Sequence, residues 1–567
     1  ELLAFGCTFL LTGRCAVLVG QHGRARVRRN TITSAKNTAV EVQAGGECTV
    51  DENTVEKAGG YAILFLGGGT GRVFSNTFSS GKRAAVAVST GSDPQVQKNK
   101  VEDSNATGFF VFDGGKGAFR QNTLLRCKLA AIEVRDAGSC AVVEGNTISD
   151  GLDGGIVFHS EAKGTVESNM VRDNAKAGIT VCTGAAPVVS GNTILAGSGS
   201  GILVHSKGGG AIKDNTIRGV GKAGIEVRRD ARPLLEGNRI EQCGAQGILA
   251  HRGALGAISE NHISGCVGAL VEVSSDSAPN VFGNRLSGGQ SFGILFESMS
   301  PCEIKGNTVE GCAKAGVCIR EGATPDVVEN KLLAGLAQGI LVTGKGSGGM
   351  LRANEITNHA MAGIEISEEA SPKVSGNTVC CTLREGGAGI VVHDSGGGVV
   401  DGNTIRGCCK AGVVVRTGGS PTVSNNTVID GRASGIYVYD GGTGIFQGNT
   451  VERNAVHGVA VRDAGNPRLL NNLIGKSGQN GVFIYAKGRA TLDKCQVSGS
   501  GRCGVVVTED STADLSGCKI SGSKLEGLWL SDRASVTLVD CDLSKGNTKA
   551  VRVDEGCKLE EKGNKML

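Results

Sequence analysis

Residues 188–216 read VVSGNTILAGSGSGILVHSKGGGAIKDNT, and this stretch contains the unit that is repeated along the whole chain. An aliphatic residue precedes Asn192 by three positions, and another follows it by two. A Gly-Ile-Leu-Val segment then occupies residues 201–204, and the same order begins again around Asn215, 23 residues after Asn192. Self-similarity at a fixed period of this length is the signature of a repeat architecture.

The Asn column runs from Asn30 to Asn564, with cysteines at positions 495, 518 and 541, and Cys7 stands one period before it. These 25 rungs are separated by 24 intervals, of which 21 are 23 residues, two are 24 and one is 26. Such constancy predicts one continuous solenoid over residues 1–567 instead of several globular domains. Because Glu1 falls in the middle of a repeat, we expect this solenoid to be a segment of a longer chain. The longest interval predicts a small outward loop around Cys380 to Glu385.

The repeat favours β-structure. Glycine makes up 91 of the 567 residues, a content that helical repeats would not tolerate. Positions +10 and +12 after each Asn are aliphatic, which predicts a strand with two inward residues, and a second strand is predicted with the Asn at its centre. The fold prediction is therefore all-β: a single right-handed parallel β-helix of about 25 coils. A leucine-rich repeat has a similar period, but its Leu-x-x-Leu-x-Leu motif and helical return are missing.

We expect the inward Asn side chains to stack at one corner of the coil and to bond to one another and to turn backbone, as Asn ladders do in stacked sheets. This role is structural and not catalytic. Its representative residues are Asn146, Asn192, Asn215, Asn307, Asn377 and Asn403.

Neighbouring coils differ, because Pro187, Pro233, Pro279, Pro325, Pro372, Pro421 and Pro467 mark alternate coils at close to 46 residues. The segments 362–366 (AGIEI), 371–377 (SPKVSGN) and 389–393 (GIVVH) belong to this two-coil pattern. It resembles the parallel β-helix repeats called carbohydrate-binding and sugar-hydrolysis repeats. Within that family it looks closest to the β-helix of eukaryotic F-box substrate adaptors of ubiquitin ligases, and this resemblance implies a substrate-recognition role.

Charge, hydropathy and cysteine usage exclude several classes of partner. The net charge is +4 without a long basic run, which argues against nucleic acid, and no apolar stretch approaches the ~18 residues that a membrane helix needs. The 20 cysteines fall at repeat positions and not at zinc-site spacing, so we expect reduced thiols and no metal or cofactor. Reduced thiols predict an intracellular protein, cytoplasmic or cytoskeletal and not secreted.

Position +11 lies between the two inward residues of the predicted strand and must point outward. On alternate coils it is bulky and apolar, and on several intervening coils it is Glu. Aromatic clusters anchor interfaces, so this outer stripe predicts a surface that binds other proteins. Its partner-binding residues are predicted to be Tyr437, Tyr439, Phe483, Tyr485, Trp529, Phe110, Leu203 and Leu249.

Position +13 carries a column of His residues, namely His159, His205, His251 and His393. Successive members are two coils apart, which separates their backbones by about 9.6 Å and excludes a shared metal ion. Carboxylates that could serve a sugar-acting enzyme are Glu368, Glu369, Asp440 and Asp532, but none is predicted to meet a basic partner on an adjacent coil. The sequence therefore predicts no catalytic residue and a chain that is not an enzyme.

Together these features predict a non-catalytic, rigid scaffold that docks other proteins along the outer stripe and at its uncapped ends. We place it in an intracellular, cytoskeletal or ciliary assembly, and expect no small-molecule ligand. Two alternatives stay open. One is the substrate-recognition module of an F-box-type ubiquitin ligase, and the other is an enzyme similar to polysaccharide lyases and epimerases.

Overall fold

A computed structural model describes residues 2–381 and 387–566. It divides into two compact units, Glu1–Arg285 and Leu286–Leu567. Both are built from coils of three short strands, and each strand pairs in parallel with its equivalent in the next coil of the same unit. The predicted all-β parallel β-helix is thereby confirmed. No helix in the described ranges is long and apolar enough to cross a membrane.

One coil of the first unit shows how the repeat folds. Its strands are Val188–Ser190, Thr193–Leu195 and Ile202–His205, and they contribute to the first, second and third sheet respectively. The predicted strand at positions +10 to +13 is therefore present. The strand predicted to be centred on the Asn is wrong, because Asn192 lies in a turn that separates two strands.

The first sheet uses the segment that ends two residues before the Asn. In the first unit its strands are Leu2–Phe5, Arg24–Arg28, Glu47–Asp51, Thr70–Phe74, Asp93–Gln97, Lys116–Arg120, Cys140–Glu144, Lys163–Glu167, Val188–Ser190, Ala211–Lys213, Leu234–Glu236, Ala257–Ser259 and Asn280–Phe282. In the second unit they are Glu303–Lys305, Asp326–Val328, Met350–Arg352, Lys373–Ser375, Val399–Asp401, Thr422–Ser424, Ile445–Gln447, Arg468–Leu470, Arg489–Asp493, Thr512–Ser516, Ser535–Val539 and Lys558–Lys562.

The second sheet uses the three residues that follow the Asn position. In the first unit its strands are Thr8–Leu10, Thr31–Thr33, Thr54–Glu56, Thr77–Ser79, Lys100–Glu102, Thr123–Leu125, Thr147–Ser149, Met170–Arg172, Thr193–Leu195, Thr216–Arg218, Arg239–Glu241 and His262–Ser264. The strand Arg285–Ser287 falls at the division. In the second unit they are Thr308–Glu310, Lys331–Leu333, Glu355–Thr357, Thr378–Cys380, Thr404–Arg406, Thr427–Ile429, Thr450–Glu452, Leu473–Gly475, Gln496–Ser498 and Lys519–Ser521.

The third sheet carries the outward residues at positions +11 and +13. In the first unit its strands are Val17–Val19, Val40–Val42, Ile63–Phe65, Val86–Val88, Phe109–Val111, Ile132–Arg135, Ile156–His159, Ile179–Cys182, Ile202–His205, Ile225–Arg228, Ile248–His251 and Val271–Ser274. In the second unit they are Ile294–Glu297, Val317–Ile319, Ile340–Thr343, Ile364–Ser367, Ile390–Val392, Val413–Val415, Ile436–Val438, Val459–Val461, Val482–Ile484, Val505–Val507, Glu526–Leu530 and Lys549–Val553.

The core of each unit is the interior of the coil. In the strand Ile202–His205, Ile202 and Val204 are fully buried, while Leu203 and His205 face outward and are half-buried. Burying one such aliphatic side chain stabilises the fold by about 1.5–3 kcal/mol. The inward and outward assignment made from positions +10 to +13 is therefore the one that the structure adopts.

The Asn residues stack at the turn between the first and second sheets. In the first unit the Nδ2 of Asn192 donates to the Oδ1 of Asn215 at 2.9 Å, and Asn146 makes the same bond to Asn169. In the second unit Asn307 donates to Asn330. Asn377 donates to Asn403 across the 26-residue interval, and Asn403 continues the series to Asn426. Where cysteine takes the position, the Sγ of Cys495 donates to a backbone carbonyl.

The irregular intervals are absorbed without loss of register. The extra residue before Cys140 lengthens the turn after a third-sheet strand, and Lys116 still pairs with Cys140. The longer insertion predicted around Cys380 to Glu385 falls largely on residues 382–386, which lie outside the described residues.

Candidate functional site

The outward residues of the third sheet form its outer face, and their types follow from strand alternation. Residues at +10 and +12 fill the core, so +11 and +13 are free to be polar or aromatic. Glu226 and Arg228 show this on the strand Ile225–Arg228, where Ile225 and Val227 are buried and both charged residues are half-buried. The outer face is therefore where this chain can place chemistry.

Three glutamates at +11 pair with a histidine at +13 of the following coil. The Oε1 of Glu226 lies 3.2 Å from the Nε2 of His251, that of Glu133 lies 3.1 Å from the Nε2 of His159, and that of Glu365 lies 3.3 Å from the Nε2 of His393. The sequence analysis looked for basic partners only around Glu368, Glu369, Asp440 and Asp532, and it did not predict these diagonal pairs. A carboxylate that orients an imidazole is the arrangement found behind general bases and activated nucleophiles.

A polar side chain of the preceding coil fixes each glutamate. The Ser200 hydroxyl donates to the Oε2 of Glu226 at 2.9 Å, and the Thr107 hydroxyl donates to the Oε2 of Glu133 at 3.2 Å. Burial raises the pKa of Glu226, but the hydrogen bonds from Ser200 and His251 outweigh burial and leave that pKa below its ordinary value. Glu226 is therefore ionised at neutral pH, and His251 donates its Nε2 proton to it.

The surroundings of the other imidazole nitrogen, Nδ1, differ between the three pairs. The Nδ1 of His159 lies 3.0 Å from the Ser160 hydroxyl, and the Nδ1 of His393 lies 2.8 Å from the Asp394 carboxylate. The hydrogen bond to Glu365, and after it the one to Asp394, raises the pKa of His393 although burial opposes the shift. In the described part of the chain, the Nδ1 of His251 has no hydrogen-bonding partner. His251 is therefore an imidazole that Glu226 orients through its Nε2.

The first unit has a groove beside His251, with a cavity volume of about 660 Å³. Leu203 and Leu249 line it together with His251, so these two predicted partner-binding residues lie at the candidate site. Its cations are Lys176, Lys222 and Arg228. The Nζ of Lys176 lies 2.8 Å from the Oδ2 of Asp153, and the Nη1 of Arg228 lies 3.0 Å from the Oε1 of Glu226. The volume lies within the usual range for ligand sites, and Lys222, which forms no such ion pair within the described residues, favours an anionic ligand.

The second unit has an aromatic surface, which we define as Tyr437, Tyr439, Phe483, Tyr485 and Arg462. Tyr437 and Tyr439 have ring centroids 4.7 Å apart, and Phe483 stacks on Tyr485 at 4.5 Å. The two pairs are joined by the hydroxyls of Tyr437 and Tyr485 at 3.2 Å. Arg462 lies over both rings of the first pair, at 5.5 and 5.3 Å. The structure thus brings four of the predicted partner-binding residues into one cluster.

The remaining two predicted partner-binding residues lie elsewhere. The Nε1 of Trp529 donates to the Oδ2 of Asp554 at 2.9 Å, and the Arg552 guanidinium lies 4.7 Å from the centre of its indole. Phe110, in the first unit, stacks on Phe112 at 4.6 Å. Each is therefore half-buried by a local contact and presents only part of its ring.

The carboxylates considered from sequence are held by neighbouring coils. Glu368 and Asp440 accept hydrogen bonds from threonine hydroxyls at 3.0 and 2.9 Å, and Asp532 accepts one at 2.8 Å. Glu369 forms an ion pair with Lys345 at 3.1 Å. All four carboxylates lie in the turn after a third-sheet strand, where three accept a threonine hydrogen bond and Glu369 forms its ion pair. Within residues 2–381 and 387–566, no group of three or more His, Cys, Asp or Glu side chains could hold a metal ion.

This geometry defines the class of protein: a parallel β-helix with acid–imidazole pairs, a cationic groove and an aromatic surface on its third-sheet face. The family described as the right-handed beta helix region matches residues 3–142, 98–211, 200–348, 326–474 and 446–566. The chain therefore belongs to the right-handed β-helix family. It matches no curated protein.

Several solved structures are similar to this chain. The A-module of mannuronan C-5 epimerase AlgE4 from Azotobacter vinelandii is 13% identical with a TM-score of 0.30, over 54% of this chain and 87% of that one. A PL6 family alginate lyase, AlyGC, is 10% identical with a TM-score of 0.36, over 100% and 97%. The catalytic domain of a GH87 α-1,3-glucanase is 13% identical with a TM-score of 0.28, over 55% and 61%. At such identities these similarities show the fold alone.

These neighbours correct one prediction and leave another without support. The prediction that the chain is not an enzyme is wrong as an inference from this fold, because the similar structures are carbohydrate-active enzymes. The carbohydrate-related β-helix resemblance is confirmed by the family match. The closer likeness to F-box adaptors has no support in these comparisons.

Proposed function

We propose that the chain acts on an anionic polysaccharide and that the groove beside His251 is the site. The observation that carries this proposal is the pairing of an oriented imidazole with cations in one groove. In its neutral form, His251 donates its Nε2–H to Glu226, so the Nδ1 of His251 is the proton acceptor. Arg228 and Lys222 supply positive charge in the same groove.

This arrangement suits proton abstraction from a sugar carbon next to a carboxylate. In that step the Nδ1 of His251 takes the proton, and the electron pair left on carbon delocalises into the substrate carboxylate. Arg228 and Lys222 stabilise the charge that develops on its oxygens. Reprotonation of the carbon by water on its opposite face would invert the sugar. Alternatively, the electron pair would form a carbon–carbon double bond as the bond to the neighbouring glycosidic oxygen breaks, and that oxygen would take a proton from water, which cleaves the chain. Leu203 and Leu249 offer the apolar face of the sugar a surface to pack on.

The test is to incubate the full chain with alginate, polygalacturonate and hyaluronate. Elimination is followed by the ultraviolet absorbance of the new double bond, and inversion is followed by proton NMR of the polymer. His251→Asn removes the base and should reduce the rate by about 10²–10⁴-fold. The matched control is His205→Asn, because His205 has the same strand position but its ring bonds to Ser206 and to no glutamate. A wild-type chain that changes none of the polymers, or a His251→Asn chain as active as the control, would refute the proposal.

A second candidate function is the docking of protein partners, which the aromatic surface of the second unit favours. A clustered set of aromatic rings beside an arginine is the composition of interface hot spots. We would compare the proteins that co-purify with the wild-type chain and with a Tyr437→Ala, Phe483→Ala variant, which removes one ring from each stacked pair. Selective loss of a defined set supports docking, and an unchanged set argues against it. The intracellular, cytoskeletal or ciliary location stays a prediction.

A further inference from the structure

Three side chains on adjacent coils of the first unit form a chain of hydrogen bonds apart from the His251 groove. The Ser160 hydroxyl lies 3.0 Å from the Nδ1 of His159, and the Nε2 of His159 lies 3.1 Å from the Oε1 of Glu133. The backbone sets this order, because Arg135 pairs with His159 in the third sheet and Glu133 stands two residues before Arg135. All three side chains are half-buried, so they are accessible yet held in place.

The direction of the two hydrogen bonds follows from the ionisation of Glu133. The hydrogen bond from His159 holds the pKa of this carboxyl below its ordinary value, so the carboxylate accepts the Nε2–H. In the neutral imidazole the Nδ1 then carries the lone pair and accepts the hydroxyl hydrogen of Ser160. A serine hydroxyl directed at an imidazole that an acid orients is the arrangement of an activated nucleophile.

We propose that Ser160, His159 and Glu133 form a nucleophilic relay that hydrolyses short acyl esters. The Oγ of Ser160 attacks the ester carbonyl while the Nδ1 of His159 takes the hydroxyl proton. The carbon–oxygen bond to the alcohol breaks, and His159 returns the proton to the leaving oxygen. Water then attacks the acyl-serine, with His159 again accepting the proton, and releases the carboxylic acid and the free serine. Glu133 stays ionised and stabilises the imidazolium that forms in each step.

The surroundings favour an acyl group carried on a sugar. Phe110 pairs with Glu133 in the third sheet, and Phe110 and Phe112 stack at 4.6 Å. The Arg135 guanidinium lies 4.9 Å from the centre of the Phe110 ring, which leaves an aromatic and cationic surface one coil away from the glutamate. The backbones of Phe110 and Val157, which precedes His159 by two residues, are two coils apart, about 9.6 Å. That is close enough for a sugar ring to pack on the phenylalanines while its ester reaches Ser160.

The chain contains its own controls. Ser206 bonds to His205 at 2.9 Å, but within the described residues no glutamate is hydrogen-bonded to that histidine, because Thr180 stands at the corresponding position. His251 has a glutamate, but Arg252 stands where Ser160 would be. Within the described residues, serine, histidine and glutamate are hydrogen-bonded in this series only at Ser160. The reaction does not rest on the proposed action on uronates, because His251 stands four coils away, about 19 Å along the sheet.

The experiment treats the full chain with a fluorophosphonate probe and locates the adduct by peptide mass spectrometry. In parallel, hydrolysis of p-nitrophenyl acetate is measured for the wild type and for Ser160→Ala and Ser206→Ala variants. We expect labelling at Ser160 and not at Ser206, with ester hydrolysis lost only in Ser160→Ala. His159→Gln should slow labelling of Ser160 by about 10²-fold or more, since it removes the base.

The Glu133→Gln variant tests whether Ser160 is labelled because the relay activates it or only because it is exposed. It preserves the shape of the side chain but cannot stabilise the imidazolium, so labelling of Ser160 should slow although the serine stays equally accessible. Circular dichroism checks that each variant keeps its β-fold. Equal labelling of Ser160 and Ser206, no labelling of Ser160, or unchanged hydrolysis in Ser160→Ala would each overturn the proposal.

Discussion

Replacing one ladder asparagine should destabilise the first unit by an amount that the hydrogen bonds set. The Nδ2 of Asn192 donates to the carbonyl of Val166 at 2.8 Å and to the Oδ1 of Asn215 at 2.9 Å. Its Oδ1 accepts the backbone N–H of Asn169 at 3.0 Å. Asn192→Ala leaves that N–H without its acceptor and removes a donor from the Val166 carbonyl. Each buried group left unsatisfied costs about 1–3 kcal/mol, so the expected loss is roughly 2–6 kcal/mol.

The assay is urea unfolding of the full chain, with hydrogen exchange measured at the Asn169 amide. In a stacked architecture the loss concentrates at the neighbouring coils, so exchange of this amide should accelerate more than exchange in distant coils. Asn192→Cys is the matched control, because cysteine already occupies this position at Cys495, where its Sγ donates to the Leu469 carbonyl at 3.3 Å. It should cost less than the alanine variant. A loss below about 1 kcal/mol for Asn192→Ala, with unchanged exchange at Asn169, would refute the reasoning.

Two further predictions concern the second unit. Because Glu365 raises the folded-state pKa of His393, that histidine contributes stability fully below its unfolded pKa of about 6.5 and loses the contribution as pH rises through the folded pKa. Urea midpoints measured against pH should show this loss in the wild type and not in His393→Gln; parallel curves would contradict it. Tyr437→Phe removes the bond to the Tyr485 hydroxyl and should cost about 0.5–1.5 kcal/mol by urea unfolding. Tyr439→Phe is the control, and an equal cost in both variants would show that the hydroxyl pair is not responsible.

The sequence analysis did not predict three strands in each coil, because the turn at the Asn has no consistent sequence signal. The residue before each ladder Asn has a left-handed backbone, as in Gly191 at φ 61°. At many coils that residue is not glycine: Glu52 has a φ of 56° and Gln121 a φ of 54°. Stacking holds these residues in a conformation that an isolated chain would give to glycine. Because no glycine marks the turn at these coils, the sequence analysis placed the Asn in the middle of a strand instead of in a turn.

The acid–imidazole pairs were missed for a geometric reason. Sequence reasoning compared positions within one column, where successive histidines stand two coils apart. The contacts run between columns instead, from +11 of one coil to +13 of the next, as between Glu226 and His251. Residues 25 apart in the sequence are neighbours in a 23-residue coil when their side chains lean along the strand. The outward direction of Leu203 could be predicted from the sequence, because the alternation of side chains along a strand alone determines it.

The three acid–imidazole pairs show how a repeat can vary chemistry at constant geometry. In each, a glutamate oxygen lies 3.1 to 3.3 Å from the imidazole Nε2, and the residue after the histidine differs from pair to pair. Ser160 provides a hydroxyl, Arg252 leaves the Nδ1 unbonded, and Asp394 holds its imidazole between two carboxylates. In the roles proposed above, the same orienting bond would support a nucleophile at Ser160 and a base at His251, and in the third pair it holds His393 in an ion pair. Because the stacked strands fix the backbone, we expect one substitution in the turn after a strand to change which group the imidazole Nδ1 meets.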